Sequence, residues 1–452
     1  WPVPLLGTFD PDFLDVPPEV IQLTARTNQK YFVMRGEDGA LAPAFICTAN
    51  IAANDGGASI VEGNRRVLAA RLSDARFFWE QDVKVPLDEQ ATKLADIVFH
   101  EKLGSVADKV ERVAKLAEWL VTEGIVKGCS AADAKRAAQL CKADLVTGMV
   151  GEFPELQGVI GGYLAAAQGE TKAVSDAIGD HYKPVGQGDD VPTAPVTVAV
   201  SLADKLDTIC LFFEIEAFPT GSKDPFALRR AAIGLITLIQ NSGLHLHIGQ
   251  VIRMGWLGLG DERRTLSELE LTRLAVADIV NEFIVDRLDV ALRSVGLHHD
   301  IVEASKTWGT ATDGRLDRIQ GRAFALHELL DTQTGINLLA AYKRAANILK
   351  KENWDDGVMA SDSAVRHEMP AEERAVISAL ATAEPTAEAA IAAEDFTAAM
   401  TALASLRSPI DAFFEKVTVN DPDPVVRERR LALLARFRDA VHQVADFSKI
   451  EG

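Results

Sequence analysis

The sequence predicts a mainly α, multidomain protein with a small α/β segment at its start, and three observations carry that expectation. Its 452 residues exceed what one hydrophobic core sustains, since domains commonly hold about 100–200 residues. Apolar residues recur at helical spacing from about residue 86 onward, whereas β-prone runs separated by turn residues stand before Asn50. The composition, 48% hydrophobic and 25% charged, is that of a globular chain with ample apolar surface to bury.

Taken in order, Tyr31–Met34 and Leu41–Ala49 flank Gly36-Glu37-Asp38-Gly39, whose residues tolerate positive φ, and so predict a hairpin. Val67, Leu68, Leu72, Ala75 and Phe78 then fall on one helix face. Ser105 with Asp108 three residues on is a capping box for a helix burying Val110, Val113, Ala117 and Leu120, stopped by Gly124. Ser130 repeats the device, and the stripe Ala134, Ala137, Cys141, Leu145, Met149 predicts one continuous helix. Residues 185–196, rich in Gly, Asp and Pro, read as a surface loop. Asp224-Pro225 supplies a cap and a first-turn proline for a helix that Asn241-Ser242-Gly243 ends. Leu266–Leu292 reads as helix, and Thr307–Gly314 as a polar, glycine-dotted segment. The Ala-rich stretch to Ala404 predicts helices broken at Pro385, and Asp423-Pro424 opens a last helix burying Leu431, Leu434, Phe437, Val441 and Val444. The resulting division is 1–85, 86–245, 246–325 and 326–452, with no repeat of fixed period.

The charge balance, 47 − 66 = −19, excludes a protein that holds nucleic acid by bulk attraction, because nonspecific phosphate binding needs net positive potential. Local basic faces remain compatible with it. No apolar run approaches the roughly 20 residues of a membrane span. Cys47, Cys129, Cys141 and Cys210 show no CxxC spacing, which fits a reducing, cytoplasmic setting without a disulfide framework or structural zinc. The chain opens at Trp1 on a strand-like, proline-punctuated phrase with no signal-peptide pattern, so the natural N-terminus is expected further upstream.

Several constellations could carry chemistry. His100, Asp144, His181 and Asp204 are metal-capable groups on successive helical segments, and over about 100–215 they resemble the HD-type metal phosphohydrolases. Where that pattern has a His-Asp doublet this chain has Ala143-Asp144, leaving the ligand set one histidine short, so no bound metal is expected and a phosphohydrolase acting on nucleotides or RNA ends stands only as the alternative function. The stretch Phe218–Arg230 leads a glycine-containing loop into a helix, with Lys223, Arg229 and Arg230 as candidates for an RNA phosphate; its plainer reading is a capped helix start. Ala341–Lys351 holds four cations and no acid in eleven residues. Lys343, Arg344, Asn347 and Lys350, with Lys351 beside them, share a helix face beside Tyr342, a surface suited to single-stranded RNA, although such runs are more often merely solvated. Arg427, Arg429, Arg430, Arg436 and Arg438 form a second cluster diluted by Asp421, Asp423, Glu428 and Asp439. His245, His247, His298 and His299 are assigned no role, and neither GxSxG nor a Walker loop is present.

Read in order, many phrases resemble the β subunit of the bacterial-type heteromeric glycyl-tRNA synthetase: Asn28–Phe32, Glu62–Leu68, Ala70–Phe78, His100–Gly104, Lys142–Thr147, Gly151–Gly158, His181–Pro184, Leu202–Thr208 and Pro219–Arg230. The resemblance covers nearly the whole chain. It implies a tRNA-binding subunit of an α2β2 enzyme, with the aminoacylation site for glycine, ATP and Mg2+ on a separate α subunit and no catalytic residue or bound cofactor here. It also implies that residues 1–85 end an editing-like α/β module, that 86–245 is an HD-like helical domain, and that 246–325 is a helical linker or body. The last segment, 326–452, would be an anticodon-binding helical bundle, with Lys343, Arg344, Asn347, Lys350, Lys351, Arg427 and Arg430 facing tRNA(Gly).

Overall fold

The computed structural model describes residues 2–186, 188–257, 268–308, 311–354 and 369–451; the beginning of the helix expected from Leu266 and part of the Thr307–Gly314 segment lie outside them. The chain forms two compact units, Trp1–Leu244 with Val251–Val276, and His245–Gln250 with Ala277–Gly452. The division falls inside a helix, Glu268–Ser294. No helix among the described residues is long and apolar enough to cross a membrane.

In the first unit the hairpin forms as the sequence predicts: β2 (Phe32–Arg35) and β3 (Leu41–Ala49) are antiparallel, Gly39 turns at φ 79, and β1 (Val3–Thr8) pairs with β3 to give the order β1-β3-β2. One face of this sheet and the helix α1 (Ala58–Asp82) share a small core of Phe45, Cys47, Ile21, Leu68 and Leu72. Beyond it, α2 (Val106–Thr122) opens on the predicted capping box, with the Ser105 hydroxyl and the Asp108 carboxylate each accepting the other's backbone N–H.

The helix expected to run from Ser130 through Met149 is instead three pieces: α3 (Ala131–Leu140), a 3-10 turn (Ala143–Val146) and a short helix (Gly148–Glu152). Side-chain acceptors divert the backbone there. The Thr147 hydroxyl takes the Val150 N–H, and the Asp82 carboxylate takes those of Gly148 and Met149. Next, α4 (Val159–Ala167) and α5 (Lys172–Asp180) pack closely because Gly162 lies against Ser175 and Gly179, where a Cβ would sit 3.0 Å from backbone atoms. The central helix α6 (Pro195–Glu214) is buried along most of its length. Finally α7 (Leu228–Asn241) begins later than Asp224-Pro225 predicts, since Ala227 adopts φ 54 and Asp224 reaches forward to the N–H groups of Leu228 and Arg229.

The second unit comprises the last part of α8 (Glu268–Ser294), then α9 (His299–Ser305), α10 (Leu316–Leu330), α11 (Gln333–Lys351), α12 (Ala371–Ala392), α13 (Phe396–Ala404), α14 (Arg407–Lys416) and α15 (Pro424–His442). Its core is continuous from Ile301 to Ile450, so α9 and α10 belong with the bundle expected only from residue 326. Pro385 does not break α12: the buried stripe Leu380, Ala383, Ala387 continues across it, and its packing offsets the roughly 3 kcal/mol a helical proline costs. Asp423 caps α15 through the Val425 N–H with Pro424 at the first helical position, as predicted.

Candidate nucleic-acid interface

The four metal-capable residues do not converge. His100 packs its ring against Phe212 and Phe226, and Asp144 accepts the N–H groups of Gly158 and Gly161 at the start of α4. Among the described residues these four do not bring three ligand atoms within 4.8 Å of one another. His181 and Asp204 do meet, at a residue outside the expected set. The Lys142 ammonium lies 2.8 Å from His181 Nε2, 3.1 Å from Asp204 Oδ2 and 3.7 Å from the centre of the Tyr182 ring. His181 donates from Nδ1 to the Ile178 carbonyl, which leaves Nε2 to accept from the lysine.

A second buried ammonium completes this core. Lys109 lies 3.1 Å from Asp204 Oδ1 and 3.2 Å from Asp207 Oδ2, and donates to the Thr208 hydroxyl. Asp207 also accepts from Arg112 and from the Trp256 indole. The charge states follow. Burial pushes the Asp204 carboxyl up, but Lys109 and Lys142 outweigh it and hold it well below the carboxylate range. Burial, then Lys142, keeps His181 neutral. Burial brings Lys205 down to about 8 although Asp204 opposes it. Two buried ammoniums therefore supply the positive charge beside His181 and Asp204, and this arrangement holds helices together. The readable signal was Lys142 itself, a cation directly before Ala143-Asp144.

The loop before α7 differs from its anticipated form as well. Thr220 and Lys223 close a tight turn by exchanging backbone hydrogen bonds, and Asp224 occupies the first N–H groups of α7, so that helix end is not open to a phosphate. Lys223 and Arg230 are exposed and Arg229 is half-buried, and none of the three has an ion pair among the described residues.

On α11 the anticipated face forms in part. Arg344, Asn347, Lys350 and Lys351 are exposed and Lys343 is half-buried. The Arg344 guanidinium lies 4.3 Å from the centre of the Phe414 ring and donates to the Phe414 carbonyl, which fixes its position. Tyr342 is not at the surface: it is 2% exposed, hydrogen-bonded to His442 and packed beside Phe447, because the i+3 and i+7 positions Ala345 and Leu349 carry the same buried stripe. The arginine cluster on α15 divides. Arg429 and Arg430 are buried around the fully buried Glu373, and Arg430 also holds the Thr418 carbonyl and Asp421, so the expected RNA-facing place of Arg430 is overturned by an ion pair 57 residues away in sequence. Arg436 pairs with Glu384 and Arg438 with Asp439, while Arg427 is half-buried with no ion pair among the described residues. His245, assigned no role, joins Asp317 and Glu394, but the Arg315 guanidinium sits 2.5 and 2.8 Å from those two carboxylates and balances them.

Fold and surfaces define the class: a mainly α multidomain protein with buried charge clusters and solvent-facing cations in both units. The profile of the glycyl-tRNA synthetase beta subunit matches residues 1–307, and that of the DALR anticodon binding domain matches residues 338–451. The chain belongs to the glycyl-tRNA synthetase beta subunit family. It is 48% identical over 456 residues to the glycine–tRNA ligase beta subunit of Rhodospirillum centenum, covering all of this chain and 62% of that protein. It is 48% identical over 453 residues to that of Phenylobacterium zucineum and 44% over 456 residues to that of Paracoccus denitrificans, covering all of this chain and 64% of each relative. The chain thus spans less than two thirds of the length of these relatives.

Proposed function

We propose that this chain is a tRNA-binding part of a cytoplasmic glycine–tRNA ligase, acting with a separate α subunit that carries the aminoacylation site and uses ATP and Mg2+, in an α2β2 assembly. The observation that supports this reading is the solvent-facing row Arg344, Asn347, Lys350, Lys351 on α11, inside the segment that matches an anticodon binding domain. An acidic body with its cations gathered on such a face disfavours nonspecific RNA and leaves binding to local contacts. Arg344, held over Phe414, offers a preoriented fork to a phosphate or base edge, Asn347 offers an amide, and the two lysines offer point charges. Lys343, next to Arg344 on α11, and Arg427, on α15, contribute at its margin. Lys223, Arg229 and Arg230 serve as phosphate contacts toward the acceptor end.

Filter binding of glycine-accepting tRNA across a salt series tests the reading. Reversing charge at Arg344 and Lys350 together is expected to weaken binding by about tenfold or more and to reduce the slope of log Kd against log salt by about one for each phosphate partner removed. Unchanged affinity and slope in a variant with an unchanged circular dichroism spectrum would remove α11 from the interface.

A further inference from the structure

We infer that the exposed aromatic and basic patch of Phe218, Lys223, Phe226, Arg229 and Arg230 holds an unpaired nucleotide of RNA, its base stacked on Phe226 and its phosphate held by the cations. This deepens, and rests on, the RNA-binding reading above. Three observations carry it. The first is aromatic surface left in water on a framework that holds it still: Phe226 is 36% exposed yet stacked on Phe212 at 3.9 Å and 18°, with His100 edge-on at 5.7 Å. Phe218 is 41% exposed and set against Phe213 at 5.0 Å and 71°. Rings already ordered by neighbouring rings offer a stacking platform without a further entropy cost on binding.

The second observation is charge. Residues 218–230 carry Lys223, Arg229 and Arg230 against Asp224, a local balance of 3 − 1 = +2 on a chain of −19. The third is that Asp224 is engaged with the N–H groups of Leu228 and Arg229, and the three cations have no ion pair among the described residues. Cations three and four residues from Phe226 in sequence suit a phosphodiester beside a base whose π-face is open. A duplex hides that face, so the patch selects unpaired nucleotides at an RNA end or loop.

The test uses the whole chain and an unstructured RNA hexamer carrying 2-aminopurine, whose fluorescence is quenched on stacking. Quenching with saturable binding is expected. Phe226→Leu, which keeps apolar volume against Phe212, should lose the quenching and weaken binding about five- to hundredfold, while Phe226→Tyr, which keeps a π-face, should retain both. Lys223→Ala should weaken binding mainly at low salt. Failure of the wild-type chain to bind the hexamer, or equal binding and quenching by the Leu and Tyr variants, would overturn the inference while leaving tRNA binding through α11 standing. Phe226-dependent hexamer binding by a chain that does not bind tRNA would support the patch and reject the tRNA reading instead.

Discussion

Lys142 and Lys350 are the same side chain in opposite settings. Lys142 is 4% exposed and enclosed by Asp204, His181 and Tyr182, whereas Lys350 stands in water on the last turn of α11 with no ion pair among the described residues. The buried ammonium persists because its partners replace its lost hydration, which ties its charge to the fold. The exposed one keeps its hydration and leaves its field available to a ligand. The second unit repeats the contrast on one helix: Arg429 and Arg430 grip Glu373, while Arg427, two residues before the pair, is only half-buried. Cation content is therefore a poor guide to binding surface until burial is known.

The largest effect that sharpens this contrast is expected at Asp204. Asp204→Ala leaves Lys109 and Lys142 without their shared carboxylate and should cost about 3–5 kcal/mol, read from the urea midpoint of the unfolding transition. Replacing Lys142 by Met and Asp204 by Leu together should cost less than Asp204→Ala alone, since no half of the pair is left unmatched; an equal or larger loss would break the account of Lys142 as a partner-dependent charge.

A smaller effect appears in the pH dependence. Burial brings the Asp144 carboxyl up to about 6 from 3.8, despite the Gly158 and Gly161 N–H donors. Between those values the folded chain binds more protons than the unfolded one, so the contribution of Asp144 is fully present below about pH 4 and lost as pH rises through about 6. Asp204 has the opposite sign: its lowered pKa gives a contribution present above about pH 4 and lost on acidification. Asp144→Asn removes the first dependence and leaves the second. Wild-type stability minus variant stability should fall by about 2 kcal/mol between pH 4 and pH 7. A difference that stays flat across that window would contradict the assignment. The smallest effect belongs to the exposed lysine: Lys350→Glu should change stability by no more than about 0.5–1 kcal/mol, chiefly through loss of a cation at a helix C-terminus, in the same urea measurement.

Local devices were legible in the sequence. Ser105 with Asp108 and Asp423 with Pro424 lie within three residues of what they cap, and the β2–β3 hairpin is set by a four-residue turn. Where expectation failed, a distant residue intervened. The helix expected through Met149 is interrupted with the help of Asp82, 66 residues away from Gly148, and Pro385 is tolerated because its helix lies in a core spanning the second unit. The site followed the same division. The uninterrupted cation run on α11 was readable as a face, but the burial of Tyr342 against His442 joins residues 100 apart. Lys142 is legible locally only as a cation before Ala143-Asp144, because its partners stand 39 and 62 residues further on.

By itself, then, the sequence determined the helical class, the capped helix starts, the location of the cation runs and, through many phrases in order, the family. Periodicity and capping act over a few residues and need no knowledge of the rest of the chain. Only the tertiary structure decided which charges meet water. Burial and ion pairing depend on residues brought together from distant helices, so Lys142, Arg429 and Arg430 became internal supports, while Lys350, Lys223 and Arg230 remained at the surface.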